Sequence, residues 1–328
     1  MNASDVDAAL QEWGNRVFNS GPVRKRIRRG MTGVSLTAPR SESDQASPRP
    51  MDASEVRRKM GSLVKRSPQV MVRISGGGKG IRHIKAHLDY ISRNGQVPLE
   101  DQNGDKLVGK EDIMALRDEW ELGGFAIDVN ATSRQAFNII LSMPAGTSDV
   151  AVSRAVRDFA SAEFHNFQYV MAVHTPETDP DADPSPNPHV HLCVKATSLD
   201  GTRLNPRKAD LHRWREEFAR SLREHGVECE ATRRLHRLQP KRGEKQSVLH
   251  KRERGESLDR IGTGKVGRQR AEKARQKESQ VLSGYRALAL ALANSPQADD
   301  RQLALDVVWR LAQSQRGLPR GPDVPHDR

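Results

Sequence analysis

Apolar and polar residues alternate in four short segments in the middle of the chain, which is the pattern of strands that bury one face. The predicted strands are 69–75, 137–143, 167–174 and 189–196. Three other segments place apolar residues at helical spacing, and they are 81–95, 148–164 and 206–226. This order of elements predicts an α+β domain, with helices flanking a central sheet, over residues 69–232.

The segments on either side of this domain have a different composition. Residues 1–68 start with one possible short helix and then become rich in Ser, Pro, Gly and Arg, so we expect a mostly flexible basic segment. Residues 233–278 are basic with few apolar positions, which fits either a solvated helix or a phosphate-contacting arm. Residues 279–316 regain a helical apolar pattern that predicts a small helical hairpin, and we expect 317–328 to be a disordered tail.

Charge is distributed unevenly along a chain whose net charge is +12. Residues 1–66 contain 13 Lys or Arg and 7 Asp or Glu, residues 67–229 contain 19 and 23, and residues 230–328 contain 22 and 12. An excess of positive charge either provides solubility or attracts a polyanion, usually nucleic acid. A slightly acidic centre with basic flanks suits a metal-dependent site that gains electrostatic attraction from its flanks.

The cysteines and the apolar runs exclude several classes of protein. Cys193 and Cys229 are the two cysteines, too few for a disulfide framework or a cysteine-built zinc site. No apolar run is long enough to span a bilayer, and the N-terminus lacks the apolar core of a signal peptide. We therefore expect a cytoplasmic protein without a membrane segment.

Three histidines give the strongest local chemical signal. His189 and His191 alternate along a predicted strand, so their imidazoles point to the same face. His174 ends the preceding strand, and the loop 175–188 can bring it beside them. Three neutral imidazoles that face one point suit a divalent cation and leave positions for substrate or water. The alternative is a set of unrelated surface histidines.

Tyr90, one of three tyrosines, lies in the helical segment HLDYISRNG (87–95). A divalent cation that polarises a phosphate can make tyrosine a competent nucleophile, whereas the simpler interpretation is a half-buried helix tyrosine. His83 and His87 on the same helix can be solvated or can support a site. The glycine-rich GGGKG (76–80) fits either a phosphate cradle at a helix start or a plain turn, and it lacks the ending of a Walker loop.

Taken in order, three segments resemble the relaxases of the mobilisation-nuclease family, which include plasmid-transfer relaxases and T-DNA border endonucleases. They are VRISGGGKGIRHIKAHLDYISRNG (72–95), LSMPAGTS (141–148), and His174 with PHVHLCV (188–194). The resemblance covers about residues 70–235. It implies an HUH-type tyrosine nuclease with an antiparallel central sheet flanked by helices.

The resemblance also implies a role for each matching residue. Tyr90 would attack a phosphodiester and form a covalent 5′-phosphotyrosyl intermediate, and Ser142 would lie near the bound strand. His174, His189 and His191 would hold Mg²⁺ or Mn²⁺. The implied function is site- and strand-specific nicking of a transfer origin, which initiates conjugative mobilisation of plasmid or integrative-element DNA. The implied partners are single-stranded DNA at that origin, relaxosome accessory proteins and a secretion coupling protein.

Basic residues are expected to add affinity for DNA through phosphate contacts. In addition to Ser142 and the cluster RKRIRRG (24–30), the expected DNA-binding residues are Arg93, Arg233, Arg234, Lys241 and Arg242.

One position departs from the family pattern. The family often has an acidic residue two positions after the first histidine, where this chain has Pro176. The loop 175–188 is longer here, and its acidic residues are candidates for a carboxylate that orients a histidine; they are Glu177, Asp179, Asp181 and Asp183.

Two other functions stay open at this point. One is a catalytically impaired, DNA-binding relaxosome accessory protein, which the proline at position 176 favours. The other is a rolling-circle replication initiator. The tyrosine precedes the histidines here, as in relaxases, whereas it follows them in many rolling-circle initiators.

Overall fold

The computed structural model describes residues 2–18, 50–123, 127, 131–181, 184–238 and 265–316. These residues belong to two compact units. The helical unit is drawn from Met1–Arg66 and Thr232–Arg328, and the sheet unit is Ser67–Ala231. No helix among the described residues is both long enough and apolar enough to cross a membrane.

Six antiparallel strands and eight α-helices make up the regular structure of the described residues. The strands are β1 (Met71–Gly76), β2 (Leu99–Asp101), β3 (Lys106–Leu107), β4 (Ala136–Ser142), β5 (Tyr169–His174) and β6 (His189–Lys195). The helices are α1 (Ala3–Phe18), α2 (Ala53–Lys65), α3 (Ile81–Ile91), α4 (Gly109–Leu122), α5 (Asp149–Glu163), α6 (Lys208–Glu224), α7 (Lys265–Ala293) and α8 (Ala298–Arg316).

The sheet has the strand order β1-β4-β6-β5-β2-β3, and every pair of neighbours is antiparallel. The predicted α+β class, with an antiparallel sheet flanked by helices, is confirmed. Two parts of this unit were not predicted from the sequence: the short hairpin of β2 and β3, and helix α4 that follows it.

Helices cover both faces of the sheet, and each face has its own apolar core. Leu192 and Val194 of β6 pack in one core with Phe159 of α5 and Phe218 of α6. Cys193, which points to the opposite face, belongs to the core formed with α3 and α4. Because alternate residues of a strand share a face, His189 and His191 lie on the same face as Cys193, the face covered by α3.

The glycine-rich turn between β1 and α3 is explained by close packing. A Cβ on Gly77 would lie 2.3 Å from the carbonyl oxygen of Ala136, and one on Gly78 would lie 2.4 Å from Cγ1 of Ile84. Only glycine lets the chain pass this close to β4 and to the first turn of α3. The turn therefore sets the position of α3 over the sheet.

The helical unit buries an apolar core of its own. Val6, Val56, Leu288 and Val307 come from its four helices α1, α2, α7 and α8. Arg57 of α2 donates two hydrogen bonds to Asp300 of α8, at 2.7 and 2.8 Å. Such a bidentate pair fixes the relative position of two helices.

The terminal segments differ in part from their predicted character. Composition predicted that residues 1–68 are mostly flexible, but α1 and α2 are helices that contribute to the core of the helical unit. The sequence did not predict helix α2, because its buried face has few apolar residues and includes polar ones. The basic cluster 24–30 lies outside the described residues.

The C-terminal segments contain the helices α7 and α8, whereas the small hairpin over residues 279–316 stays a prediction. Helix α7 begins at Lys265, so the end of the basic segment 233–278 is helical, and its described side chains are exposed. Residues 239–264 and 317–328 lie outside the described residues. The division of the chain at 68, 232, 278 and 316 stays a prediction.

Candidate metal centre and nucleophile

The three predicted histidines lie together on one face of the sheet. His174 and His189 are paired residues of β5 and β6, and His191 follows on the same face. Their ring centroids are 4.8–5.2 Å apart, and one ligand nitrogen from each lies within 4.8 Å of the others. The spacing of the sequence and the register of two adjacent strands therefore produce a cluster that can hold a metal ion.

Burial affects the protonation of the cluster. Burial, followed by the neighbouring histidines His174 and His189, lowers the pKa of His191 to about 3, and burial also lowers the pKa of His174. Such imidazoles stay neutral near neutral pH and keep a lone pair for an ion.

Hydrogen bonding shows which nitrogens are available as ligands. His191 Nδ1 is buried and has no hydrogen-bond partner among the described residues. Nδ1 of His189 lies 3.0 Å from the carbonyl oxygen of Asn187, which leaves Nε2 free to act as a ligand. An unpartnered buried nitrogen and three imidazoles fit a divalent cation.

His174 is fully buried and faces an oxygen on each side. Its Nδ1 lies 2.9 Å from Oδ2 of Asp179, and its Nε2 lies 2.7 Å from the carbonyl oxygen of Ile91. A neutral imidazole carries one N–H group, so it donates to one of these oxygens only. An ion bound through His174 would take over the other nitrogen.

Asp179 supplies a carboxylate to this site although position 176 is a proline. Of the four acidic candidates in the loop, Asp179 is the one that contacts a cluster histidine in the described part of the loop. Hydrogen bonds from Arg93, the largest cause, hold the pKa of Asp179 well below its usual range, so it stays ionised. A carboxylate on the outer nitrogen of a histidine orients the ring of a metal ligand. Asp183 lies outside the described residues.

Tyr90 lies beside the histidines, in the last turn of α3. Its ring centroid is 5.8 Å from that of His191, with the planes at 88°. It is 6.2 Å from the ring of His87, with nearly parallel planes. With 54% of its surface exposed, Tyr90 is accessible to a substrate. The structure therefore brings the predicted nucleophile and the predicted metal ligands together.

Arg93 was expected to bind DNA, but in the structure it binds carboxylates. It donates hydrogen bonds of 2.8 and 2.9 Å to Asp179 and lies 3.2 Å from Asp181. Its guanidinium also lies 4.9 Å from the ring centroid of Tyr90. The pKa of Arg93 is raised, first by the hydrogen bonds to Asp179 and also by Tyr90.

The other expected DNA-binding residues are distributed between the sheet unit, the helical unit and the part of the chain that is not described. Ser142 pairs with His189 in the register of β4 and β6, which places it next to the cluster. Arg233 and Arg234 are in the helical unit, at the start of the short 3-10 helix Arg234–Arg237. Lys241 and Arg242 lie outside the described residues.

His87, for which the sequence left open either solvation or support of a site, lies beside His191 and Tyr90. Its ring lies 6.4 Å from that of His191 and one helical turn before Tyr90. Its Nε2 is buried without a hydrogen-bond partner among the described residues, and burial lowers its pKa to about 4. The only signal in the sequence was its spacing of three residues from Tyr90.

The sequence of the sheet unit matches a known family. Residues 103–227 match the family described as relaxase, MobA/VirD2-like, nuclease domain. The match lies within the sheet unit and covers less than half of the chain. This part of the chain is therefore similar to the nuclease domain of the MobA/VirD2-like family. The matched residues include Ser142 and the three histidines, whereas Tyr90 precedes them.

The chain is also similar to proteins named T-DNA border endonuclease VirD2. It is 30% identical over 189 residues to the protein of Rhizobium radiobacter, which covers 52% of this chain and 43% of the relative. It is 30% identical to the Agrobacterium fabrum protein, covering 52% and 40%, and to the Rhizobium rhizogenes protein, covering 40% and 32%. The matched part is thus less than half of each relative.

Proposed function

We propose that this protein is a relaxase that nicks one DNA strand at a specific site, with Tyr90 as the nucleophile. The observation that carries this proposal is an exposed tyrosine next to three clustered histidines in a domain similar to a relaxase nuclease domain. The similarity to T-DNA border endonucleases supports an endonuclease that acts on DNA.

The proposed reaction exchanges one phosphate ester for another. The hydroxyl oxygen of Tyr90 attacks the phosphorus, and the bond from phosphorus to the 3′ oxygen breaks. The 3′ oxygen of the upstream fragment leaves and gains a proton to become a hydroxyl, which balances the proton lost by the Tyr90 hydroxyl. The downstream fragment stays joined to Tyr90 through its 5′ phosphate. Because the ester bond is retained, the reverse reaction can reseal the strand.

His174, His189 and His191 are the proposed ligands of Mg²⁺ or Mn²⁺. An ion held there would polarise the scissile phosphate and stabilise the negative charge that develops on it. Asp179 orients His174, and the nearly parallel ring of His87 packs beside Tyr90.

The proposed substrate is single-stranded DNA at a transfer origin, and the proposed role is to initiate conjugative mobilisation. Accessory proteins of a relaxosome and a coupling protein are the proposed partners. The alternative of an impaired accessory protein depended on the proline at position 176, and the contact of Asp179 with His174 weakens that reason.

The nucleophile is tested by incubating the protein with Mn²⁺ and single-stranded oligonucleotides that tile the DNA around its gene. A covalent protein–DNA adduct on a denaturing gel is expected for the wild type and for Tyr169→Phe, the matched control, which changes a tyrosine on the opposite face of the sheet. Tyr90→Phe should form none. An adduct with Tyr90→Phe would refute the nucleophile, and no wild-type adduct despite DNA binding would favour the accessory protein.

Exposed basic residues of α7 are the proposed source of non-specific affinity. We expect that replacing Lys273, Arg275 and Lys277 by glutamine lowers the slope of log affinity against log salt by about 0.7 for each lost phosphate contact. Fluorescence anisotropy with a labelled single strand between about 50 and 300 mM salt, roughly a sixfold range of concentration, measures this slope. An unchanged slope would remove α7 from the DNA interface.

A further inference from the structure

Four side chains form a continuous chain of contacts from the tyrosine to the histidine cluster. The guanidinium of Arg93 lies 4.9 Å from the ring centroid of Tyr90. The same guanidinium donates two hydrogen bonds to Asp179, and Asp179 contacts Nδ1 of His174 at 2.9 Å. Arg93 therefore connects the proposed nucleophile with the carboxylate that orients a proposed metal ligand.

The backbone after α3 turns in a way that directs Arg93 to this place. Arg93 and Asn94 have φ values of 49° and 56°, in the left-handed region that residues with a side chain rarely adopt, and Gly95 follows at 86°. Non-glycine residues in this region are often found at functional sites, where the surrounding structure holds them in place. Here the two hydrogen bonds to Asp179 hold the side chain of Arg93.

The surroundings of Arg93 disfavour a direct contact with DNA phosphate. Its side chain is 17% exposed, and it faces the carboxylates of Asp179 and Asp181. The guanidinium is already paired with two carboxylates, so it presents no net positive charge to attract a phosphate. Tyr90, in contrast, is more than half exposed, so its ring needs support from a neighbour to keep one orientation.

We propose that Arg93 is a positioning residue, which holds the ring of Tyr90 beside the histidines because Asp179 fixes its guanidinium. This inference rests on the proposed function, since it assigns the orientation of the proposed nucleophile. Attack on phosphorus needs a defined approach of the oxygen, and a displacement of about 1 Å can reduce a rate about 100-fold. Arg93 restricts the approach without contacting the substrate.

The first test measures the tyrosine directly and does not depend on nicking. Tyr90 is one of three tyrosines, so a protein with ¹³C-labelled tyrosine rings gives a simple NMR spectrum, in which Tyr90→Phe identifies the signal of Tyr90. Arg93→Ala and Asp179→Ala should shift or broaden that signal and leave those of Tyr169 and Tyr285 unchanged. The double variant should resemble the single ones. An unchanged Tyr90 signal in Arg93→Ala would overturn the proposal.

The second test separates positioning from DNA binding. With saturating oligonucleotide and Mn²⁺, Arg93→Ala should form the covalent adduct about 100-fold more slowly, while its dissociation constant for DNA changes less than about twofold. Weaker DNA binding with an unchanged rate at saturation would make Arg93 a DNA contact. Arg157→Ala removes a bidentate pair with Glu100 in the same unit and should leave the rate unchanged.

Arg93→Lys keeps the tests decisive if Arg93→Ala does not fold. Lysine retains the charge but cannot form two parallel hydrogen bonds to one carboxylate, so its adduct rate should also fall and its Tyr90 signal should also move. If Arg93→Lys forms the adduct at the wild-type rate and its Tyr90 signal is that of the wild type, the two parallel hydrogen bonds from Arg93 to Asp179 do not position Tyr90. If the wild type forms no adduct with any oligonucleotide, the proposed function fails, and the NMR spectra still decide the role of Arg93.

Discussion

The two faces of β5 and β6 have different compositions. On one face, Met171, Leu192 and Val194 form part of an apolar core with α5 and α6. On the other face, Ala172 and Cys193 pack into the core with α3. The next residues of β5 and β6 on this face are the histidines of the cluster. The face covered by α5 and α6 is apolar along its whole length and stabilises the fold. The face covered by α3 has imidazoles instead of apolar side chains at one end, where they lie beside Tyr90.

This difference suggests that stability and chemistry can be changed separately. Removing atoms from the α5 and α6 face should unfold the protein without altering the site in the molecules that stay folded. Changing the polar end of the α3 face should alter the site at a small cost in stability. The following predictions test this separation.

The largest effect is expected from Phe218→Ala, on the apolar face. Phe218 is fully buried in the core of α5 and α6, and such truncations cost about 3–5 kcal/mol in the free energy of unfolding. Urea denaturation measures this loss. Mn²⁺ affinity, measured by calorimetry on the folded fraction, should stay within about twofold of the wild type. A parallel loss of Mn²⁺ affinity would show that the two faces are not separable.

A smaller effect is expected from Asp179→Asn, at the polar end of the other face. The change removes the charge that orients His174, and loss of such a partner typically lowers metal affinity 10–100-fold. Titration calorimetry with Mn²⁺ measures the affinity. Asp181→Asn is the matched control, because Asp181 also pairs with Arg93 but its side chain is about half exposed, at 47%. Equal effects of the two substitutions would contradict the role given to Asp179.

The smallest effect concerns acid. Burial holds the pKa of His191 at about 3 and that of His87 at about 4, below the ordinary value of 6.5. Above pH 6.5 both residues are neutral in the folded and unfolded chain. As pH falls below 6.5 the unfolded chain binds protons that the folded chain does not, so stability decreases, by at most about 1.4 kcal/mol per pH unit for each group.

Urea denaturation of the metal-free protein between about pH 7.5 and pH 6, where the two groups together cost less than about 2 kcal/mol, checks this dependence. His87→Gln removes one of the two groups and should make the decrease less steep. If the variant and the wild type lose stability equally between these pH values, burial of His87 does not contribute.

The sequence predicted the strands and helices in which apolar and polar residues repeat with a clear period. The predicted strand 137–143 is β4 within one residue, and alternation alone placed His189 and His191 on one face. The strands β2 and β3 have three and two residues, which is too short for a period to show. Helix α4 was missed although Ile113, Leu116 and Trp120 are spaced as its buried face requires.

The candidate site was predicted for its histidines and tyrosine but not for the contacts between them. Which acidic residue of the loop reaches His174 depends on the path of that loop, and the sequence left four choices. Arg93 was assigned to DNA because a positive charge near a nuclease site suggests a phosphate contact. Its left-handed backbone and its pairing with Asp179 are properties of the folded chain.

The strand order places β6 between β4 and β5, so β6 is hydrogen-bonded along both of its edges. A shift of one residue in its register would turn both imidazoles to the opposite face and would break two ladders at once. Insertions or deletions inside β6 are therefore incompatible with the site, whereas the loop 175–188 can change in length. The carboxylate can thus come from different positions of a variable loop, while the histidines are restricted to fixed positions in the strands.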